Sequence, residues 1–139
     1  NSHDKASSVR DSSKRATLRA SLQERLRNSK NMVLIIGDTT RFDTDWVPFE
    51  IEQALDTYAI PIVATYTKYE SILTPAELHP WLPKALTDRI NNTTAKVIHI
   101  PFKKEPLKTA IDQFDHNNPP SSPLTYYTRD SYIRWGLLR

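Results

Sequence analysis

A tryptophan and a glutamate stand four residues apart, at positions 46 and 50, in the run DWVPFEIEQAL. Residues at this spacing on a helix are neighbours one turn apart, so Trp46 and Glu50 would share one surface. A carboxylate held in a cleft could stabilise the positive charge that develops on a sugar when its glycosidic bond breaks. The alternative is structural, with Glu50 favoured by the helix dipole and Trp46 packed in the core.

A strand and a polar turn precede this pair. Residues 32–36, MVLII, form an unbroken apolar run that predicts a strand covered on both faces, as in a parallel sheet. Pro48 suits a first helical turn, and one helical face follows, made of Val47, Ile51, Ala54, Leu55 and Tyr58. Because ligands of open α/β sheets bind beyond the carboxyl ends of the strands, we expect a site within residues 37–50.

Two further apolar segments predict strands. Residues 60–66 (IPIVATY) and 96–100 (KVIHI) are rich in β-branched residues. With the intervening helical segments, they predict parallel strands and helices on both faces, in one domain over residues 1–139. Three strands make a thin sheet, so we expect one or two more on the N-terminal side, in residues absent from this chain or from a neighbour.

Helices are predicted before, between and after the strands. The first should be capped by Ser12 or Ser13, after a polar segment over residues 1–13, and should bury a stripe of Leu18, Leu22 and Leu26. Others are expected over residues 83–90 and from Pro106 onward. In the C-terminal extension, residues 116–139, aromatic side chains should dock a short helix.

Composition excludes several chemistries. The chain has no cysteine, its four histidines lack metal-ligand spacing, and no Gly-rich phosphate loop is present. We therefore expect no metal and no thiolate nucleophile.

No apolar run approaches the roughly 20 residues of a membrane span, and we expect a cytoplasmic protein without membrane contact.

Charge is distributed unevenly along the chain. Residues 1–31 carry eight Lys/Arg against three acids, whereas residues 38–58 carry six acids against Arg41 alone. Such patches could meet head to tail in self-association, or the basic patch could meet phosphates. The simpler alternative is two solvated helix faces. The basic segment holds no aromatic residue, which argues against nucleic-acid binding.

One reaction needs only a single carboxylate. The nicotinamide of a nicotinamide nucleotide is already cationic and departs neutral, so breaking its N-glycosidic bond requires little acid catalysis. Glu50 would hydrogen-bond the ribose hydroxyls and stabilise the oxocarbenium-like charge.

The sequence around this pair resembles a known family. Residues 33–55, VLIIGDTTRFDTDWVPFEIEQAL, followed by IPIVATY, are similar to the TIR-like family that contains ThsB of bacterial Thoeris anti-phage systems. Residues 1–30 and 99–114 extend the resemblance to most of the chain. It implies a flavodoxin-like TIR fold, NAD+ as a substrate and not a cofactor, and a nucleotide product that reaches an effector protein.

The resemblance also implies roles for particular residues. Glu50 would be the catalytic residue of an NAD+ glycohydrolase or ADP-ribosyl cyclase, and Trp46 would shape the pocket. Gly37, Asp38 and Thr40 would line it from the end of the strand.

A loop before the first helix, with Arg10 and Asp11, would contribute to the pocket or to an assembly contact.

Two other functions stay open at this point. TIR domains also serve as non-catalytic signalling scaffolds, and nucleoside deoxyribosyltransferases are open α/β enzymes that use a Glu after a buried strand.

Overall fold

Helices and strands alternate along the chain in the computed structural model, which describes residues 2–139, with side chains from residue 12 onward. The helices are α1 Ser2–Arg27, α2 Trp46–Glu52, α3 Lys84–Asn91, α4 Lys104–Gln113 and α5 Arg129–Arg134. The strands are β1 Met32–Ile36, β2 Ile62–Tyr66 and β3 Val97–Pro101. Two short 3₁₀ helices lie at Thr40–Phe42 and Pro75–Trp81. A π-helical segment, Gln53–Thr57, continues α2. The alternating pattern expected from the sequence is confirmed.

The three strands form one parallel sheet in the order β1, β2, β3. Leu34, Ala64 and His99 stand side by side across it. Parallel pairing follows from the helices that lie between successive strands, since a helical crossover returns the chain in the same direction. This open sheet fits a flavodoxin-like TIR fold, and the predicted adjacency of β1 and β2 is confirmed.

Helices cover both faces of the sheet. On one face, Leu34, Ile62 and Val97 belong to a core cluster that also includes residues of α1, α2 and α3. On the other, Val63 and Ile98 pack with α4 through Ala110. β2 is buried along its whole length, as a strand covered on both sides should be.

β1 departs from this pattern because it is an edge strand. Ile35 is 51% exposed and Val33 is only half-buried, whereas their neighbours in the strand are buried. The prediction that residues 32–36 are covered on both faces is therefore wrong. α4 lies over β2 and β3, and it reaches the start of β1 through Asn31, whose side-chain amide donates to the carbonyls of Ile111 and Phe114. The carboxyl half of β1 stays open on that face.

The first helix is longer than predicted. It begins at Ser2, so Ser12 and Ser13 lie inside it and do not cap it. Leu22 is buried, but Leu18 is 57% exposed, which corrects the predicted buried stripe. All of residues 12–20 are exposed, so this part of α1 lies at the surface and leaves Leu18 uncovered.

Two residues expected in a loop before the first helix also belong to α1. These are Arg10 and Asp11, and their side chains lie outside the described residues. Any contact of theirs with the pocket or with an assembly surface stays a prediction.

The C-terminal aromatic residues dock α5 as expected. Tyr132 is fully buried, and its ring packs edge-on against Trp135 at 5.5 Å between centroids. The segment before α5 runs along β3, where the Thr125 carbonyl accepts from the His99 amide. Within residues 2–139, no helix is both long enough and apolar enough to cross a membrane.

Candidate functional site

A cleft of about 420 Å³ opens between the exposed edge of β1 and the first turns of α2. Its walls come from the strand, the turn that follows it, and the helix: Val33, Leu34, Ile35, Thr39, Thr40, Asp43, Val47 and Glu50. The cleft runs along the outer edge of β1, which pairs with no strand of residues 2–139. Its turn residues, Thr39, Thr40 and Asp43, follow the carboxyl end of β1, and open α/β sheets bind ligands beyond this end of their strands.

Side-chain oxygens shape the turn that leads from β1 into α2. The Thr40 hydroxyl accepts from the Gly37 amide at 2.9 Å. The Asp43 carboxylate then accepts from the amides of Asp45 and Trp46, at 2.8 and 2.9 Å. These amides have no partner within the helix, so Asp43 caps the start of α2. Thr40 and Asp43 therefore fix the turn and also line the cleft.

Glu50 is half-buried in the cleft wall, one turn into α2. Burial raises the pKa of its carboxyl, the positive charge of Arg25 partly offsets this, and the negative charge of Asp43 adds to the rise. Within the described side chains, no hydrogen bond or ion pair satisfies the carboxylate. Its negative charge is thus poorly compensated, and a cationic group entering the cleft would be stabilised.

Trp46 lies one turn before Glu50 on α2, at the spacing that the sequence indicates. Its ring is half-buried, stands 5.7 Å from the Phe49 ring, and packs against the main core cluster. Trp46 does not line the cleft. It positions α2 against the body, so any effect on the pocket would pass through the helix.

The three residues expected at the end of the strand have different surroundings. Thr40 lines the cleft, whereas Gly37 and Asp38 lie in the same turn without lining it. The Asp38 carboxylate pairs with the Lys68 ammonium at 3.3 Å. Two cleft residues, Thr39 and Asp43, were not singled out from the sequence. For Asp43 a signal existed, since an Asp near the start of a helix can accept a hydrogen bond from the amide three residues on, here that of Trp46.

A buried polar pair lies elsewhere, on β2 and β3. His99 is fully buried, and its Nε2 stands 2.8 Å from the Pro123 carbonyl, which can only accept. Nε2 therefore carries the proton, and Nδ1 accepts from the Tyr66 hydroxyl at 2.7 Å. Burial lowers the pKa of His99 to about 4 and raises that of Tyr66. This neutral pair ties the C-terminal segment to the sheet.

The cleft lies inside the part of the chain that matches a known family. The family model for the TIR-like domain of the Thoeris protein ThsB matches residues 1–72. This half of the chain runs from α1 through β2 and includes Trp46, Glu50 and every residue that lines the cleft. The chain therefore belongs to the family of ThsB TIR-like domains.

Proposed function

We propose that this Thoeris TIR-family defence protein is an NAD+ glycohydrolase or ADP-ribosyl cyclase, with Glu50 as the catalytic carboxylate. The observation that carries the proposal is the setting of Glu50. It is a half-buried acid in a cleft, with no hydrogen bond or ion pair from residues 12–139. Acids that serve only the fold usually have such a partner, whereas perturbed, uncompensated acids concentrate at functional sites.

The reaction matches a single carboxylate. The bond between C1′ of the ribose and the nicotinamide nitrogen breaks, and its electron pair passes to the nitrogen, so nicotinamide leaves neutral. Positive charge develops on C1′ and the ring oxygen, where an anionic Glu50 would stabilise it. In hydrolysis, water adds to C1′ and loses a proton. In cyclisation, a nucleophilic atom of the ADP-ribose moiety adds to C1′ instead of water.

The cleft suits a substrate with a cationic end. Both of its ionisable side chains, Asp43 and Glu50, are acids. The nicotinamide ring of NAD+ is positively charged, so the ground state and the developing oxocarbenium charge are both attracted to this wall. We propose that the resulting ADP-ribose-derived nucleotide is the signal that an effector protein reads.

Substitution of Glu50 by Gln tests the proposal. The change keeps the size of the side chain and removes the charge, so the fold should be retained while nicotinamide release from NAD+ falls about 100-fold to 1,000-fold. Release should be measured with the activating partner or in phage-infected cells, because a signalling enzyme can be idle when isolated.

Glu52→Gln is the matched control. Glu52 lies on the same helix but is exposed and outside the cleft, so this variant should release nicotinamide at the wild-type rate. Equal rates for wild type and Glu50→Gln would refute the enzymatic proposal. Equal losses in both variants would point to damage to α2.

A non-catalytic scaffold is the second candidate, and the open edge of β1 favours it. Within residues 2–139 no strand pairs with the outer side of β1, and Ile35 is half-exposed beside it. Such an edge can accept a strand from another chain. Under this alternative, the wild type would release no nicotinamide, and Glu50→Gln would leave defence unchanged.

A further inference from the structure

Arg41 is held in a fixed position at the carboxyl end of β1. Its guanidinium donates to the Asp38 carbonyl at 2.8 Å. It also stands over two aromatic rings, 4.4 Å from the centre of Phe42 and 5.6 Å from the centre of Trp81. All three contacts are to neutral groups. They orient the guanidinium without neutralising its charge.

Two lysines at this edge of the sheet are paired with acids. Lys68 follows β2 and pairs with the Asp38 carboxylate, and Lys103 follows β3 and pairs with Glu70 at 3.1 Å. Arg41 forms no ion pair with any carboxylate of residues 12–139. Among these three cations, Arg41 alone combines a fixed orientation with an unpaired charge.

We propose that Arg41 binds the phosphate groups of the nucleotide whose glycosidic bond lies at Glu50; the choice of a nucleotide rests on the function proposed above. A guanidinium presents parallel N–H donors that match two phosphate oxygens. The acidic wall formed by Asp43 and Glu50 repels phosphates, so a dinucleotide needs a cation to hold them away from that wall.

The position of Arg41 agrees with the shape of a nucleotide. The ribose and its 5′ carbon separate the glycosidic bond from the phosphates, so an anion site belongs beside the cleft and not inside it. Thr40 lines the cleft, and Arg41 is the next residue in the same 3₁₀ turn, Thr40–Phe42. This turn therefore carries one residue for the cleft and one for the phosphates.

Binding of ADP-ribose to the 139-residue chain tests the proposal. ADP-ribose carries both phosphates and lacks nicotinamide, so its affinity does not depend on turnover. By titration calorimetry, Arg41→Gln should raise its Kd about 10-fold to 100-fold, the usual effect of losing charge-assisted hydrogen bonds. Arg41→Lys keeps the charge without the planar fork and should give an intermediate Kd.

The matched control is Lys103→Gln, which removes a cation that is already paired and should leave the Kd within about twofold. Adenosine, which lacks phosphates, should bind wild type and Arg41→Gln equally. Three results would overturn the proposal: no ADP-ribose binding by the wild type, equal Kd values for wild type and Arg41→Gln, or an equal loss with Lys103→Gln. If ADP-ribose binds through Arg41 while no nicotinamide is released with the activating partner or in phage-infected cells, the phosphate site stands and the proposed reaction fails.

Discussion

At the scale of single residues, two acids of the α2 region show what distinguishes a site from a structural pair. Asp56, in the π-helical segment, accepts two hydrogen bonds from the Arg89 guanidinium, and these lower the pKa of its carboxyl. Glu50 has no such partner within residues 12–139, and burial raises its pKa. The first arrangement stabilises the ionised acid within the fold, whereas the second leaves a charge for a ligand to neutralise.

The buried His99 predicts a pH dependence of stability. Its pKa is about 4 in the folded protein and about 6.5 when unfolded, so between these values only the unfolded chain takes up the proton. The free energy of unfolding should therefore fall as the pH drops from about 6.5 to about 4, by on the order of 3 kcal/mol from this residue.

His99→Gln removes this titration and keeps one donor and one acceptor. The difference in unfolding free energy between wild type and variant should shrink as the pH falls, because only the wild type loses the His99 contribution. Urea unfolding at about pH 7 and about pH 4.5 measures it. A constant difference at both pH values would show that His99 titrates normally.

At the scale of elements, α1 combines a packed half with an exposed half. Leu22 and Leu26 belong to the main core cluster, and the Gln23 amide donates to the Gln53 side chain of the π-helical segment at 3.2 Å. Nearer the N-terminus, the Arg15 and Arg19 side chains pair with Asp45 at the surface. The buried contacts of the C-terminal half therefore hold the helix to the body.

Two alanine substitutions in this helix should have unequal effects. Leu22→Ala removes a buried side chain and should cost about 2–5 kcal/mol of unfolding free energy. Leu18→Ala alters a side chain that is 57% exposed and should change it by less than about 0.5 kcal/mol. Chemical denaturation of both variants measures this. Similar losses in both would mean that Leu18 is buried in solution, for example by another copy of the chain.

At the scale of the whole molecule, part of the charge asymmetry is cancelled within the chain. Three of the six acids in residues 38–58 form ion pairs with cations of the described part: Asp38 with Lys68, Asp45 with Arg15 and Arg19, and Asp56 with Arg89. The separation that favours head-to-tail contact is therefore smaller in the folded molecule than in the sequence. The remaining attraction acts between exposed charges, which salt screens.

Self-association through these charged surfaces, if it is the assembly mode, has a defined dependence on salt. The Debye length falls below about 8 Å above about 0.15 M, so the contact should weaken between about 0.05 and about 0.5 M salt. Sedimentation velocity at several concentrations measures this. A sedimentation coefficient that stays above the monomer value at every ionic strength would assign assembly to apolar contacts, such as the open edge of β1.

The elements and the spacing of the candidate site could be predicted from the sequence. The strands at residues 32–36, 60–66 and 96–100 agree with the structure to within two residues, and the one-turn spacing of Trp46 and Glu50 is present on α2. These features depend on the periodicity of side chains along one segment, and neighbouring residues suffice to define it.

Tertiary structure alone decided what covers each element and which charges meet. Ile35 and Leu18 are apolar residues of apolar patterns, yet both are exposed because no helix of the described chain lies across them. Likewise, the Asp38 carboxylate pairs with Lys68, which lies in another loop, and not with Arg41, which lies in the same turn and contacts Asp38 only at its carbonyl. The pattern within a segment indicates which side chains are suited to burial and which are suited to ion pairs. Their actual partners depend on segments that are distant in the sequence, and only the packed fold brings those together.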